Sequence, residues 1–462
     1  MDYIENKVSD IQIAYIGGGS KGWAWTFMAD LSIDEQLSGN IRLYDVDKKA
    51  AQSNEKIGNS LSEDPDRKGK WRYTTAATLK EALTGADFVI ISILPGTFEE
   101  MRSDVHTPEK YGIYQSVGDT AGPGGLMRAL RTIPMFVTIA EAIKQYAPKA
   151  WVINYTNPMA LCVKTLYTVF PEIKAFGCCH EVFNTQKLLA YMCKDMLGIE
   201  GVTRSEILIN VLGINHFTWF DRASYKGYDL MTLYKEFAEK YCKTGILFHE
   251  DDWQNSPFAC DNRVKFDLFL NYGLIAAAGD RHLAEFMPPI YLKDPETVLS
   301  WGFKLTPVNW RIKDLHNRLE RSNRLLSGEE KLTATPSGEE GILLMKSLVG
   351  LERTVSNVNI PNVGQISNLP YGAVVETNAL FERDHITPVF AGAVAEGVKN
   401  LITPHIQIHE DTLTAALTFD RELAFKAFKN DPLVTIGDDK AQELFCEMLD
   451  NTKAYLPEQW FR

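Results

Sequence analysis

The 462-residue chain contains no apolar run near the roughly 18 residues that a membrane-spanning helix requires. No basic segment followed by an apolar run stands at the N-terminus, so no signal peptide is predicted. The seven cysteines are odd in number and irregular in spacing, which argues against a disulfide framework. These absences predict a cytoplasmic protein that has no membrane partner and whose thiols stay free.

The chain also lacks an excess of basic residues, since its formal net charge at pH 7 is −12. A protein that binds nucleic acid usually presents a basic face, so no nucleic-acid partner is predicted. The hydrophobic content of 45% and the charged content of 23% are ordinary for a globular protein. A chain of this length can hold two domains or one large one.

A glycine-rich turn follows the first β-rich run. Residues 11–16 predict a strand, residues 23–31 predict a helix, and Gly17, Gly19 and Gly22 between them fit the pattern G-x-G-x-x-G. The first glycine permits a tight turn, the second lets the backbone approach a pyrophosphate, and the third lets the helix pack closely on the strand. The turn, including Ser20, is therefore predicted to bind a dinucleotide.

Asp45 ends the second predicted strand, residues 41–45. An acidic residue at this position binds the ribose 2′-hydroxyl of NAD in dinucleotide-binding folds, and an acid there rather than an arginine favours NAD over NADP. The alternative is a tight turn in which Asp45 caps the following helix.

Strands and helices alternate through the first 200 residues. Predicted strands are residues 87–94, 151–155 and 174–177, and predicted helices are residues 128–146, 159–170 and 184–197, with Pro134 either kinking the first helix or marking its start. This alternation predicts an α/β fold with a doubly wound parallel sheet. We therefore expect a Rossmann-like domain at residues 1–200 and a second domain at residues 201–462, although no linker marks the boundary.

The second half has a mixed pattern. Residues 207–213, 357–368 and 373–376 predict strands, residues 263–272, 391–401, 413–428 and 441–449 predict helices, and residues 311–331 predict a solvated helix or a loop.

Thiol, imidazole and carboxylate groups cluster after the predicted strand at residues 174–177. Cys179, His180 and Glu181 follow this strand, and His216 follows the strand at residues 207–213. A thiolate and an imidazole can share one divalent transition metal, and strand ends can meet at one rim of a sheet. The alternatives are a buried core cysteine and a hydrogen-bonded core histidine.

The motifs together resemble those of the NAD- and manganese-dependent family 4 glycoside hydrolases. They are Ile16-Gly17-Gly18-Gly19-Ser20, Gly122-Pro123-Gly124-Gly125, Asn154-Tyr155-Thr156-Asn157-Pro158, Cys179-His180-Glu181-Val182, Gly213-Ile214-Asn215-His216 and Asn368-Leu369-Pro370. The resemblance implies a fold like that of lactate and malate dehydrogenases, with a second α/β (α+β) domain for the substrate. It also implies the cofactors NAD and Mn²⁺, or another divalent ion, and assembly as a homodimer or homotetramer.

The residues after Cys179 resemble those of family members that cleave α-glycosides of unphosphorylated sugars. Residues 112–120 and 278–286 are similar to the α-galacturonidase branch, so the expected substrate is a terminal α-galacturonide of a pectin-derived oligogalacturonate. An α-glucosidase or α-glucuronidase of the same family is the alternative. The family reaction oxidises C3 of the sugar with NAD⁺, removes the C2 proton, expels the glycosidic oxygen from C1, adds water and returns the hydride.

The resemblance assigns roles to individual residues. Cys179 and His216 would bind the metal, and His180 would protonate the leaving group, the alternative being contact with substrate hydroxyls only. Asp280 would be the C2 base, with Tyr272 as the alternative base and a helix N-cap as the alternative role for Asp280.

The same resemblance predicts the contacts with ligands. Asn157 would touch substrate and nicotinamide, Asn154 the cofactor, and Asn215 the substrate hydroxyls. Arg281 and His282 are candidates to bind a uronate carboxylate, because a guanidinium suits bidentate binding, although Arg281 could instead form a surface ion pair with Glu285. Glu181 is also predicted to belong to the substrate site, where it would repel a uronate unless it is paired or turned away.

Two other classes of function fit the cofactor motif alone. A 2-hydroxyacid dehydrogenase would release NADH with each turnover and would need no metal. A non-catalytic NAD-binding sensor would not need His180, Asp280, Cys179 and His216 together.

Overall fold

The computed structural model describes residues 1–248 and 253–462. The strands are β1 (Asp2–Ile4), β2 (Lys7–Ile16), β3 (Leu37–Tyr44), β4 (Lys70–Thr75), β5 (Phe88–Ile91), β6 (Trp151–Asn154), β7 (Lys174–Gly177), β8 (Leu208–Ile214), β9 (Phe217–Tyr225), β10 (Tyr228–Asp229), β11 (Ile275–Ala276), β12 (Thr354–Pro361), β13 (Val374–Glu382) and β14 (His385–Pro388).

The helices are α1 (Trp23–Ile33), α2 (Lys48–Glu63), α3 (Leu79–Leu83), α4 (Phe98–His106), α5 (Gly122–Tyr146), α6 (Met159–Val169), α7 (Glu181–Leu197), α8 (Leu230–Tyr241), α9 (Arg263–Tyr272), α10 (Asp280–Glu285), α11 (Pro295–Ser300), α12 (Val308–Ser327), α13 (Gly341–Leu348), α14 (Glu396–Thr418), α15 (Arg421–Lys429) and α16 (Asp438–Asn451). In the described ranges, no helix combines the length and apolar character needed to cross a membrane.

Six parallel strands form the centre of the large sheet. Their order is β4-β3-β2-β5-β6-β7, which is the order of a Rossmann fold and confirms the predicted doubly wound sheet. Strand β12 then pairs antiparallel with β7, and β13 and β14 follow it. Strands from the second half of the chain thus complete the sheet that the first half begins.

The second sheet is antiparallel. Strands β8, β10 and β11 all pair with β9, so β9 lies at its centre. This sheet, with the helices around it, confirms the expected second α/β (α+β) unit. One cluster of buried side chains includes Trp219 of β9 in the second sheet and Val375 of β13 in the large sheet, so the two sheets share a continuous core.

The large sheet is buried on both faces. Ile13 and Tyr15 of β2 pack into one hydrophobic cluster, whereas Ala14 and Ile16 pack into another. This alternation follows from the two-residue period of a strand, and helices cover both faces, as a parallel sheet requires.

Helix α5 begins at Gly122, earlier than the predicted residue 128, and contains Pro134 in its interior rather than at its start. Its first turn, Gly-Pro-Gly-Gly, has low helix propensity, so the pattern alone did not predict it. Close packing explains the glycines: a Cβ at Gly124 would lie 2.7 Å from the carbonyl oxygen of Asp104, and a Cβ at Gly125 would lie 2.4 Å from the carbonyl carbon of Thr120.

Candidate active site

The glycine-rich turn has the geometry that the motif predicts. Gly17 adopts φ +93°, and a Cβ there would lie 1.9 Å from the carbonyl oxygen of Ser92, so only glycine fits. Helix α1 begins at Trp23, directly after the turn, so the positive end of its dipole faces the loop.

Asp45 lies against this loop. Its Oδ2 accepts a hydrogen bond of 2.8 Å from the N–H of Gly19. The alternative role fails, because the N-cap of α2 is Asp47, whose side chain accepts from the N–H of Ala50. The carboxylate therefore lies at the end of β3, beside the second glycine of the motif.

Two residues that no sequence motif indicated contact the loop. The side-chain amide of Asn54 donates to the carbonyl oxygens of Gly18 at 2.8 Å and Ser20 at 2.9 Å. These two hydrogen bonds stabilise the conformation of the turn. Arg318 of α12 reaches the loop from the other side, since a Cβ at Gly22 would lie 2.3 Å from its Nη1.

Asp119, His216 and His282 form a group of potential metal ligands. One ligand atom from each lies within 4.8 Å of the others, and the two imidazole centroids are 3.8 Å apart. His216 occupies the turn between β8 and β9, His282 lies in α10, and Asp119 precedes α5. The hydroxyl of Thr120 lies 3.2 Å from Nδ1 of His216 and helps to orient this ring.

The charge states of this group suit a divalent cation. Burial, with His282 alongside, lowers the pKa of His216 to about 3, and burial also lowers the pKa of His282. Burial opposes ionisation of Asp119, but Arg128 and the two histidines hold its pKa well below its usual range. At neutral pH the group therefore offers one carboxylate and two neutral imidazoles, which are the forms that bind metal.

Cys179, a predicted metal ligand, is buried but is not a member of this group. Burial raises the pKa of its thiol, and the neighbouring Glu376 raises it further, whereas a hydrogen bond with Asn215 opposes the shift. Asn215 precedes His216, so the thiol lies beside the turn that carries the predicted imidazole ligand. A metal shared by Cys179 and His216 stays a prediction.

The side-chain oxygen of Asn215 is available to accept a hydrogen bond. Its amide nitrogen donates to Oε2 of Glu376 at 3.1 Å, while its Oδ1 is buried without a hydrogen-bond partner in the described part of the chain. Asn157 is similar: its Nδ2 lies 3.4 Å from Oδ2 of Asp119, and its Oδ1 is buried without a partner there. Two carbonyl oxygens are thus available near the ligand group, as the predicted substrate contacts require.

Asn154, the predicted cofactor contact, uses its side chain within its own turn. Its Nδ2 donates to the carbonyl oxygen of Thr156 at 2.9 Å, and its Oδ1 accepts from the N–H of Thr156 at 3.0 Å. The side chain therefore shapes the connection between β6 and α6.

His180 stands between the glycine-rich loop and the ligand group. Its Nδ1 lies 3.0 Å from Oε1 of Glu339, and its ring centroid lies 6.1 Å from that of Trp23. Burial would lower its pKa, but the two carboxylates of Glu339 and Glu181 outweigh burial and raise it to about 9. His180 is therefore protonated at neutral pH.

Glu181 is paired. Its Oε1 lies 3.8 Å from Nε2 of both His180 and His282, and its Oε2 accepts a bond of 2.7 Å from the N–H of Gly279. Burial alone would raise its pKa, but the histidines lower it to about 2. Because Glu181 is paired in this way, its negative charge is not expected to repel a uronate.

Asp280, the predicted base, is fully buried and binds the start of α9. Its two carboxylate oxygens accept the N–H groups of Val264 and Lys265, each at 3.1 Å. The capping role that the sequence left open is thus present, although the capped helix is a neighbouring one. Tyr272, the alternative base, packs edge-on against Trp219. Among the described residues, no hydrogen bond or ion pair joins either candidate to the Asp119 group.

Arg281 does not form the surface ion pair that was one of its two predicted roles. It is buried, and its Nη2 donates to the carbonyl oxygen of Ser116 and to the hydroxyl of Thr306. Glu285 accepts instead from backbone N–H groups, including that of Val117 at 2.7 Å.

Several residues of this site have roles that the sequence patterns did not indicate. Asp119 and Thr120 belong to residues 112–120, which carried a family resemblance, so a signal for them existed. Glu339 follows Pro336-Ser337-Gly338, a loop pattern with no chemical signature, and only the folded chain brings it to His180.

Comparison with known proteins identifies the family. The model "Family 4 glycosyl hydrolase" matches residues 12–195, and the model of its C-terminal domain matches residues 211–434. An alpha-galacturonidase of Lachnoclostridium phytofermentans is 62% identical over 100% of both chains, and one of Bacillus subtilis is 52% identical over 96% of this chain and 98% of its own.

Two solved structures have the same fold. That of a putative glucosidase, lplD, from Bacillus subtilis has a TM-score of 0.92 and 52% identity, covering 96% of this chain and 100% of its own. A 6-phospho-alpha-glucosidase from gut microorganisms, solved with NAD and Mn²⁺, has a TM-score of 0.81 at 19% identity, covering 97% and 99%. The chain described here belongs to family 4 of the glycosyl hydrolases.

Proposed function

We propose that the protein is an α-galacturonidase that removes terminal galacturonate from oligogalacturonates by reversible oxidation at C3. The proposed substrate class rests on the similarity of the full chain to alpha-galacturonidases, one of which is 62% identical. The observation that supports the reaction type is the position of His180 between a dinucleotide-type loop and a group of metal-binding side chains.

The residues present fit both cofactors. The loop at Gly17 has no room for a side chain, and Asp45 stands where a ribose hydroxyl needs an acceptor. Asp119, His216 and His282 offer a carboxylate and two neutral imidazoles, a set that suits a divalent ion such as Mn²⁺. When bound, NAD⁺ would exchange a hydride with C3 of the sugar, and the ion would stabilise negative charge on the neighbouring oxygens.

His180 is the proposed proton donor to the leaving glycosidic oxygen. It is held by Glu339 on Nδ1 and faces Glu181 on Nε2, and its pKa of about 9 keeps the proton in place at neutral pH. Asn157 and Asn215 would orient the sugar hydroxyls through their unpaired carbonyl oxygens.

Asp280 and Tyr272 are the two candidates for the C2 base, and substitution separates them. If Asp280 is the base, Asp280→Asn stops exchange of the C2 proton with solvent deuterium even in the folded fraction, although the loss of a cap on α9 also lowers the unfolding midpoint. If Asp280 only caps α9, the same variant lowers the unfolding midpoint and retains C2 exchange in the folded fraction, and Tyr272→Phe then stops the exchange.

A panel of substrates tests the whole proposal. Digalacturonate and the nitrophenyl α-galacturonide, α-glucuronide and α-glucoside are incubated with thiol reductant, with and without NAD⁺ and Mn²⁺. Galacturonide cleavage that needs both additions supports the proposal. Cleavage of the glucoside or glucuronide instead would replace the substrate, and NADH accumulation on a hydroxyacid without cleavage would indicate a dehydrogenase. A homodimer or homotetramer stays a prediction.

A further inference from the structure

Two arginines meet at one aromatic ring beside the ligand group. The guanidinium carbon of Arg281 lies 5.2 Å from the ring centroid of Phe258, and that of Arg311 lies 5.5 Å from the same centroid. The ring of Trp310 packs edge-on against Phe258 at 4.9 Å. An aromatic ring can hold cations on its faces without neutralising them.

Neither cation is neutralised by an ion pair within the described ranges. Arg281 donates to a backbone carbonyl and to a hydroxyl rather than to a carboxylate, and Arg311 contacts the ring of Phe258. Arg281 is only 6% exposed, and its Nε is buried without a hydrogen-bond partner. A buried guanidinium with an unused donor is costly, so such a site favours binding of an anion.

The electrostatics agree with this geometry. Burial and, after it, the repulsion from Arg311 together lower the pKa of Arg281 to about 10. Burial also lowers the pKa of Arg311, while the charge of Asp119 opposes the shift, which places Arg311 within electrostatic range of the ligand group. An anion between the two arginines would relieve their mutual repulsion.

The position relative to the ligand group fits a uronate. Arg281 immediately precedes His282, and its Nη2 contacts Ser116, three residues before Asp119. If the C2 and C3 oxygens of the sugar face Asp119, His216 and His282, the carboxylate on C5 lies across the ring from them. His282, the other predicted contact of the carboxylate, belongs to the group of potential metal ligands. A second side chain that binds the carboxylate beside Arg281 must therefore come from another part of the chain.

We propose that Arg311 of α12 and Arg281 of α10 together bind the carboxylate of the galacturonate residue that is cleaved. The proposal rests on the proposed function and names the residue, Arg311, that separates uronides from neutral sugars. A galacturonide and a galactoside differ only in this carboxylate, which a galactoside replaces with a hydroxymethyl group. Paired guanidinium groups give charge-assisted hydrogen bonds that the hydroxymethyl group cannot match.

Arg311→Gln is the decisive variant, because Arg311 is only partly buried and does not belong to the hydrophobic core, on a helix with few fully buried side chains. The matched control is Arg324→Gln, on the same helix, where the arginine pairs with Glu330. Rates are measured with nitrophenyl α-galacturonide and nitrophenyl α-galactoside in the presence of NAD⁺, Mn²⁺ and reductant.

We expect Arg311→Gln to raise KM for the galacturonide by roughly 10- to 100-fold, the range for hydrogen bonds to charged groups, and to leave kcat/KM for the galactoside unchanged or higher. Arg324→Gln should change neither value, and Arg311→Lys should recover part of the loss. An unchanged KM for the galacturonide, or an equal loss on both substrates, would overturn the assignment.

A binding measurement separates this proposal from the proposed function. Calorimetric titration of the wild-type protein and of Arg311→Gln with galacturonate and with galactose needs no turnover. If galacturonides are not cleaved but galacturonate binds in a manner that depends on Arg311, the carboxylate site stands and the proposed activity fails. If galacturonate binds both proteins equally, the site is wrong whether or not cleavage occurs.

Discussion

The buried ion pair between Asp104 of α4 and Arg131 of α5 gives a prediction with a calculable size. Nη1 of Arg131 lies 3.0 Å from Oδ1 of Asp104, Nη2 lies 2.5 Å from Oδ2, and both side chains are 1% exposed. In Asp104→Ala the guanidinium keeps, among its partners in the described residues, only its Nε bond of 3.3 Å to the carbonyl oxygen of Pro95. An uncompensated buried charge costs about 3–5 kcal/mol, a large part of the roughly 5–15 kcal/mol that stabilises a typical protein.

Urea unfolding of the protein without cofactors measures this loss as a decrease in the free energy of unfolding. The double variant Asp104→Leu, Arg131→Met is the control, because it removes both charges and keeps the volume filled, so its stability should be close to that of the wild type. A loss below about 1 kcal/mol in Asp104→Ala would refute the reasoning, since it would mean that water or another acceptor reaches Arg131.

Three further predictions concern the ligands. Gly17→Ala should abolish NAD⁺ binding in a fluorescence titration, because its Cβ would overlap the carbonyl group of Ser92; Gly85→Ala, where φ is +70° and no atom lies within 4 Å, controls for backbone strain alone and should retain binding. Because Arg318 lies at the glycine-rich loop, we expect its guanidinium to contact the pyrophosphate of NAD⁺. Arg318→Ala should therefore weaken NAD⁺ binding by about 10-fold and reduce its salt dependence, without changing the stability of the cofactor-free protein; an unchanged affinity would exclude this contact. Asp119→Asn should weaken Mn²⁺ binding by about 10- to 100-fold in an electron paramagnetic resonance titration, and equal affinities would remove Asp119 from the site.

Sequence patterns predicted the parts of the fold that depend on interactions between residues close together in the chain. The glycine spacing after the β-rich run at residues 11–16 predicted the dinucleotide-type loop, the alternation of strands and helices predicted the parallel sheet, and α9 has the predicted bounds. Residues 413–428 were predicted as one helix, but α14 ends at Thr418 and α15 begins at Arg421. Phe419 adopts φ +57° between them, and the side chain of Asp420 caps α15. A turn of only two residues leaves the helical spacing of apolar residues almost continuous, so that spacing did not reveal the break between the two helices.

The side chains of the site come from distant parts of the chain. Sequence patterns therefore predicted fewer of its residues and contacts than of the helices and strands. Asp119 precedes α5, His216 joins two strands, and His282 lies in α10, so only tertiary packing brings them near one another. Tertiary packing likewise brings Glu339, which precedes α13, to His180. The roles of Asp280 and Arg281 could not be read from their sequence neighbours. Their carboxylate and guanidinium bind the start of a helix and a backbone carbonyl that lie elsewhere in the chain.

Helix α12 reaches both ends of the proposed reaction site. Arg311 and Arg318 are seven residues apart, two turns along one face, and Asp314 between them pairs with Arg318 at 2.7 Å. Only Val308, Ser322 and Leu325 anchor this helix by burial. The ligand that binds first would therefore fix the helix and reduce the entropy that the second ligand must lose, so cofactor and uronate would bind with positive cooperativity.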